Sequence, residues 1–128
     1  MKVFLSYLLW TVFCSLNLHN GIDCTSFRNG KFKLVDKEIE QEYLIERNES
    51  IQIEMDLKNN TISKFRVTWV TDCEYELDIL EGRKEVMDFF TGKTLSIRIV
   101  ETFDKGYKYE AQLKGTEMKV IHTVERVN

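Results

Sequence analysis

The chain has 128 residues and a formal net charge of −3, with 43% hydrophobic and 30% charged residues. This balance excludes an intrinsically disordered chain, which combines low hydrophobicity with high net charge. The length predicts a single domain. A slightly acidic chain lacks the positive charge that attracts a phosphate backbone, so we predict no nucleic-acid partner.

The N-terminus has the pattern of a secretory signal peptide. Lys2 is the only charged residue before Asp23, and an almost unbroken apolar run covers residues 3–16. A membrane-spanning helix needs about 20 such residues, so a shorter run behind one positive charge favours a signal peptide over a span. A buried N-terminal helix is the alternative. We predict a signal peptide over residues 1–21 and one β domain over residues 22–128, in a chain exported to the periplasm or secreted.

The sequence contains three cysteines, Cys14, Cys24 and Cys73. Cys14 lies within the predicted signal, so two would remain after cleavage, and an oxidising compartment then predicts one disulfide, Cys24–Cys73. Two unpaired thiols or a bond to another chain are the alternatives. Cys14 also permits a lipoprotein signal, in which an acylated cysteine anchors the protein to a membrane. The residue before such a cysteine is normally small, whereas here it is Phe13.

Alternation of apolar and polar residues is the main pattern after the signal. Over residues 65–79 the odd positions are mostly apolar and the even positions mostly polar. This period of two predicts antiparallel strands with one face on a core and one in water. The same alternation marks eight strands, which in chain order carry Phe32 and Leu34; Tyr43 and Ile45; Ile51, Ile53, Met55 and Leu57; residues 65–70; residues 74–80; Leu95, Ile97 and Ile99; Tyr107, Tyr109, Ala111 and Leu113; and Met118, Val120, His122 and Val124.

The parity of the apolar positions constrains the turns, because paired residues share a face of the sheet. Trp69 and Tyr75 have the same parity, which predicts either an odd loop over residues 71–73 or one bent strand. Parity is also kept across residues 104–106, which predicts a three-residue loop with its glycine in the left-handed position. Parity changes across residues 114–117, which predicts a two-residue loop with its glycine first.

One long connection, over residues 81–93, contains the segment EVMDFF and predicts one or two helical turns at an end of the sheet. Eight strands joined mostly by short loops form a meander, which must curl to bury its apolar face. We therefore predict an all-β fold, a small lipocalin-like barrel or half-barrel. A two-sheet β-sandwich is the alternative.

Three segments, CTSFRNGKF, YLIERNESIQIE and FRVTWVTDCEYELDIL, resemble a family of small exported Bacteroidota proteins of unknown function. The family pattern is Cys-x-x-Phe-x-x-Gly-x-Phe, then an Arg followed by a Gln-x-Glu strand, then Trp-x-x-Asp-Cys-Glu-Tyr-x-Leu. The matching residues are Cys24, Phe27, Gly30, Phe32, Arg47, Gln52, Glu54, Trp69, Asp72, Cys73, Glu74, Tyr75 and Leu77. The resemblance implies export and a β fold but no activity. The label of a topoisomerase subunit, which some relatives carry, does not fit a small acidic exported domain.

The sequence offers few of the groups that acid–base or nucleophilic catalysis uses near neutral pH. Of its two histidines, His19 lies in the predicted signal, and His122 alternates with valines and is predicted to be half-buried on the core face. No zinc-ligand spacing, GxGxxG or P-loop occurs. Carboxylates such as Glu74, Glu76 and Asp78 follow the polar parity of a solvated strand face. We predict a protein that is not an enzyme and has no catalytic residue, metal or cofactor.

Two groups of residues are candidates for a site. The first would pack the core or line a small ligand cavity, and comprises Phe65, Trp69, Tyr75, Tyr107, Tyr109 and His122. The second, Arg47, Asp72 and Glu74, lies near predicted turns and would form an ion pair at one rim of the barrel or part of a recognition surface.

The predicted function is that of a binding or interaction module in the cell envelope. Its partner would be a small apolar ligand or an envelope protein, and the protein would be monomeric, with membrane contact only if Cys14 is lipidated. The Gly-x-Trp sequence usual near the first lipocalin strand is absent. The alternative function is a structural or protein-interaction domain with a filled core and no ligand.

Overall fold

The fold is given by a computed structural model, and the structure describes residues 22–35 and 42–127. The predicted signal peptide, with Cys14 and His19, lies outside the described residues. The elements are a 3-10 turn (Thr25–Phe27), β1 (Gly30–Leu34), β2 (Tyr43–Arg47), β3 (Ile51–Asp56), β4 (Thr61–Thr71), β5 (Glu74–Glu81), α1 (Lys84–Phe90), β6 (Thr94–Thr102), β7 (Gly106–Leu113) and β8 (Lys119–Val127).

The eight strands form a closed antiparallel barrel in chain order. Each strand pairs with its neighbours in the chain, and β1 also pairs with β8, with Leu34 opposite Val124. Closure leaves no unpaired sheet edge and lets the alternating apolar residues face one interior. The prediction of an all-β meander curled into a barrel is confirmed, and the sandwich alternative is wrong.

The connections of the meander alternate between two ends of the barrel. One end, which we call the plugged end, is closed by the 3-10 turn over Thr25–Phe27, which we call the plug. This end also carries the β2–β3, β4–β5 and β6–β7 turns. The α1 end carries the β3–β4 and β7–β8 turns and the α1 segment between β5 and β6. The predicted short helix is confirmed, and its Phe90 ring packs edge-on against Phe65, with 5.5 Å between ring centroids. No helix in residues 22–35 and 42–127 is long and apolar enough to span a membrane.

Aromatic rings fill the plugged end. The rings of Phe27, Phe32 and Tyr107 lie 5.2 to 6.2 Å apart between centroids, and all three residues are buried. Arg126 of β8 lies over Phe27 and Phe32, 5.2 and 5.1 Å from the ring centroids. Its guanidinium also donates a hydrogen bond to the carbonyl of Asn29 at 3.2 Å. The barrel is therefore solidly packed at this end.

The predicted disulfide between Cys24 and Cys73 is present, with 5.2 Å between the Cα atoms. Cys24 directly precedes the 3-10 turn, and Cys73 lies in the β4–β5 turn. The bond thus ties the plug to the barrel wall.

The β4–β5 turn differs in detail from the predicted odd loop. β4 extends to Thr71, so only Asp72 and Cys73 connect the two strands. A register shift between Trp69 and Thr71 takes up the extra residue, as a β-bulge does. Tyr75 consequently still pairs with Trp69 and faces inward, with 4.6 Å between their ring centroids.

The two glycine turns also differ from their predictions. Gly106 does not have a positive φ; it opens β7 so close to β8 that a Cβ atom would overlap the carbonyl oxygen of Val124. The β7–β8 connection is longer than two residues, because the amide of Leu113 bonds to the carbonyl of Met118 at 3.1 Å. Gly115 is its second residue and has a φ of 83°, a conformation that favours glycine.

The third strand has the opposite orientation to the one predicted. We expected the apolar residues of β3, from Ile51 to Leu57, to face the core. Instead β3 turns its polar residues inward, because Gln52 pairs with the inward-facing Phe65 and Glu54 with the inward-facing Ile45. Leu57 is exposed in the β3–β4 turn. A polar row, Gln52, Glu54 and Asp56, therefore runs along the inside of the barrel.

Candidate functional site

Arg47 is a buried cation inside the barrel toward its plugged end, with only 3% of its surface exposed. One terminal nitrogen, Nη1, donates to Gln52 Oε1 at 2.9 Å and to Tyr75 Oη at 3.0 Å. The other, Nη2, donates to the carbonyl of Phe27 at 2.7 Å and to Tyr107 Oη at 2.8 Å. Arginine keeps its charge in proteins, so these four acceptors, drawn from β3, β5, β7 and the 3-10 turn, replace the hydration of the two terminal nitrogens. The third nitrogen, Nε, is buried without a hydrogen-bond partner among the described residues.

Aromatic rings surround this guanidinium. Its carbon lies 4.8 Å from the ring centroid of Tyr75, 5.1 Å from that of Phe32 and 5.7 Å from that of Tyr107. Ring faces attract cations electrostatically, and more strongly where water is excluded. Burial is the first cause that raises the pKa of Tyr75 well above its ordinary value. The Tyr75 hydroxyl therefore stays neutral beside Arg47.

Gln52 connects the buried arginine to a half-buried acid, Glu54. Its carbonyl oxygen accepts from Arg47, and its amide nitrogen donates to Glu54 Oε2 at 2.7 Å. Burial raises the pKa of the Glu54 carboxyl above its ordinary value, and the hydrogen bond from Gln52 and the charge of Arg47 oppose that shift only in part. The interior therefore holds a cation and an acid that are separated by one amide side chain.

Two adjoining cavities occupy the half of the barrel toward the α1 end. The smaller has a volume of about 240 Å³ and the larger about 410 Å³. The two cavities share six lining residues, which are Ile45, Glu54, Phe90, Leu95, Tyr109 and His122. The smaller cavity reaches inward to Tyr75 and Tyr107, and the larger lies beneath α1 beside Val86 and Arg83. The barrel is thus packed at the plugged end and hollow at the other.

The smaller cavity is lined mainly by apolar side chains, whereas the larger one also has several polar side chains on its wall, among them Thr61 and Ser63. Glu54 lines both cavities, whereas Lys119 lines the smaller one and Arg83 the larger one. Asp56 also lines the larger cavity, but its carboxylate is held by the β3–β4 turn. There Asn59 donates to it from Nδ2 at 2.8 Å, and this bond is the first cause that lowers the pKa of Asp56.

His122 lies in β8 on the inner face of the barrel, as predicted, and is half-buried. Its ring packs edge-on to that of Tyr109, with 6.0 Å between centroids. It lines both cavities, and the larger one is also lined by Glu54 and Ser63. Within the described part of the chain, no three His, Cys, Asp or Glu side chains come together as a metal site would require.

The structure divides the predicted aromatic group between the two halves. Trp69 lies at the plugged end, where its ring contacts Tyr75 and lies 4.5 Å from the guanidinium carbon of Arg28. Tyr75 and Tyr107 stand between the packed half and the smaller cavity, and Phe65 lines the larger one. Tyr109 and His122 line both.

The predicted rim group does not come together. Arg47 is inside the barrel and forms no ion pair with Asp72 or Glu74. Asp72 is exposed at the plugged end, where Arg28 Nη2 donates to its Oδ1 at 3.1 Å. Glu74 lies on β5 opposite Arg98 in the strand register. The position of Arg47 before a turn favours the rim, but its parity with Ile45 directs it inward.

Sequence reasoning missed the interior role of Gln52, Glu54 and Asp56. One sequence pattern could have indicated it, namely the Arg followed by Gln-x-Glu described above, because this pattern contains Arg47, Gln52 and Glu54. In comparisons with known proteins, no protein-family model matches this chain and no curated protein sequence matches it significantly.

Proposed function

We propose that this protein binds a small apolar molecule inside the barrel, in the two adjoining cavities toward the α1 end. The observation that carries the proposal is a mostly apolar internal space with two carboxyl groups on its wall, Glu54 on both cavities and Asp56 on the larger one only. The larger cavity, about 410 Å³, falls within the range of small-molecule pockets, which are typically apolar with a few polar groups that fix the ligand's orientation. A filled core, the alternative considered from the sequence, describes only the plugged half.

Export and a lipocalin-like mode of binding belong to the same proposal. The Cys24–Cys73 disulfide supports an oxidising compartment such as the periplasm or the extracellular space. A closed eight-stranded barrel is large enough to hold one small ligand. The resemblance to small exported Bacteroidota proteins points to the same location.

A fluorescence titration with N-phenyl-1-naphthylamine, a neutral apolar dye, tests this function. Saturable one-to-one binding is expected. Ala111 faces the smaller cavity and is 4% exposed, so Ala111→Phe should fill part of that space and weaken dye binding by about tenfold or more. Thr68→Phe adds the same ring to the exposed outer face of β4 and should leave dye binding unchanged.

Failure of the wild-type protein to bind the dye would favour the alternative, an interaction domain that acts through its surface. A specific feature supports that alternative. Large apolar side chains are exposed at the α1 end, namely Leu57, Phe89, Met118 and Val120. Contiguous exposed apolar surface often marks an interaction site.

We also propose that the protein binds its ligand without turning it over. Because His122, Glu54 and Ser63 line one cavity, the sharpest test uses an ester that fits there. The wild-type protein should hydrolyse 1-naphthyl acetate no faster than the His122→Ala variant does. A rate that His122→Ala abolishes, with the fold intact by circular dichroism, would make the protein an esterase.

A further inference from the structure

The ligand's polar group can be inferred from the cavity wall. We propose that the ligand is a compact apolar amine, whose protonated nitrogen binds the Glu54 carboxylate while its apolar body extends toward α1. This inference rests on the proposed function, because it assigns a chemical class to the occupant of the same cavities.

Of the two carboxylates that the described residues place on the cavity walls, Glu54 has the greater hydrogen-bonding capacity left for a ligand. It accepts one side-chain bond, from Gln52 to Oε2, and a carboxylate has about four acceptor sites. Asp56, the other acid that the described residues place on the cavity wall, already accepts three hydrogen bonds. Its Oδ1 accepts the amides of Lys58 and Asn59, both at 3.1 Å, and its Oδ2 accepts the Asn59 side chain.

The positive charge that balances Glu54 is directed away from the cavities. Neither cavity is lined by Arg47, whose donors are directed to Gln52, Tyr75, Tyr107 and the plug. Arg47 and Glu54 form no direct ion pair. A bound molecule therefore meets the carboxylate without meeting the guanidinium, and a cationic group is preferred at that depth.

The rest of the wall favours the same orientation. Aromatic rings line the smaller cavity, including those of Tyr75, Tyr107 and Tyr109, and ring faces attract an ammonium group. Two basic residues, Arg83 and Lys119, line the cavities at the α1 end. They would repel a cation there and accept an apolar tail or a neutral group. The nitrogen is thus directed inward to Glu54.

A matched set of three naphthalene compounds tests this assignment by isothermal titration calorimetry. The set is 1-naphthylmethylamine, which is a cation near neutral pH, 1-naphthylmethanol, which is neutral, and 1-naphthoate, which is an anion. We expect the amine to bind at least about tenfold more tightly than the anion, the order expected for one hydrogen bond to a charged group. Glu54→Gln should weaken amine binding by about tenfold and change alcohol binding by less than about twofold.

Glu46→Gln is the matched control, since Glu46 lies on the exposed face of the adjacent strand β2, and it should leave all three affinities unchanged. Thermal melting checks that each variant is folded. The amine assignment is wrong, and the binding function stands, in either of two cases. In the first, the alcohol binds but the anion binds as tightly as the amine; in the second, Glu54→Gln leaves the affinity for the amine unchanged. If the wild-type protein binds none of the three, both proposals fail.

Discussion

Arg47 and Glu54 lie on adjacent strands and face the same interior, yet they do not touch, because Gln52 bridges them with hydrogen bonds of 2.9 and 2.7 Å. This spacing gives the two charges different surroundings. Arg47 is enclosed by acceptors and rings at the packed end, whereas Glu54 stands on the wall of the cavities. One polar row thus contributes to both stability and the proposed binding site.

The first prediction concerns the arginine. Arg47→Met should lower the free energy of unfolding by about 3 kcal/mol or more, because it leaves Gln52 Oε1, the Phe27 carbonyl and two tyrosine hydroxyls without their donor. Urea denaturation measures the loss. Arg66→Met, on the exposed outer face of β4, is the control and should change stability by less than about 0.5 kcal/mol. Equal effects of the two substitutions would show that the buried network contributes nothing.

The second prediction is that alanine has different effects at two turn glycines, Gly106 and Gly115, which the sequence alone does not distinguish. Gly106→Ala should prevent β7 from closing against β8, since the added Cβ would overlap the Val124 carbonyl, and little folded protein should be recovered. Gly115→Ala meets no atom within 4 Å and should cost only the strain of a positive φ, about 1–2 kcal/mol. Circular dichroism and thermal melting of both variants decide the matter. A well-folded Gly106→Ala protein would contradict the close approach of the two strands.

The third prediction is a pH dependence of stability. The folded-state pKa of Glu54 is raised above its ordinary value of 4.5 by burial. The native state therefore holds this proton more tightly than the unfolded state does. The stabilisation that the bound proton gives the fold is complete below the unfolded pKa and is lost as the pH rises through the folded pKa. Glu54→Gln, which is neutral throughout, should become progressively more stable than wild type as the pH rises above 4.5.

Melting temperatures of both proteins across that pH range provide the measurement. Glu46→Gln controls for the loss of one negative charge at an exposed position. A wild-type protein that gains stability over Glu54→Gln as the pH rises would mean that the carboxylate is favoured in the fold, which contradicts its burial.

The fourth prediction concerns the disulfide, which joins residues 49 apart in sequence. Replacing both cysteines by serine should lower the free energy of unfolding by about 3–4 kcal/mol on the chain-entropy estimate. Wild-type protein kept reduced should match the double variant in denaturant. If labelling of oxidised wild-type protein finds two accessible thiols, Cys24 and Cys73 are not joined in solution.

The fold was predictable from the sequence because apolar and polar residues alternate strongly in most strands. When the meander closes into a barrel, the apolar faces of these strands all point to one interior. Alternation reports that one face differs from the other, but it does not report which face is inside. In β3 the apolar residues Ile51 and Ile53 lie on the outer face, while the pairing of Gln52 with Arg47 turns the polar face inward. The assumption that apolar means interior failed there because a buried cation needs polar partners.

The site was less predictable for the same reason. Tyr75, Tyr107, Tyr109 and His122 were correctly placed on the inner face, but which of them pack and which border empty space depends on how far the plug fills the barrel. The acid at the centre of the proposed site, Glu54, resembled any solvated strand carboxylate. Its inward direction follows from register with Ile45 and Ser63, which is a property of the closed barrel.

Native mass spectrometry of the protein purified from its own host tests the central claim most directly, because it detects whatever the cavities retain. The account predicts a one-to-one adduct of low molecular mass on the wild-type and Thr68→Phe proteins, and no adduct on Ala111→Phe. Adding 1-naphthylmethylamine to the stripped wild-type protein should restore a one-to-one complex. Wild-type protein that shows only the mass of the chain, both as purified and after this addition, would contradict the claim, as would an adduct retained equally by Ala111→Phe.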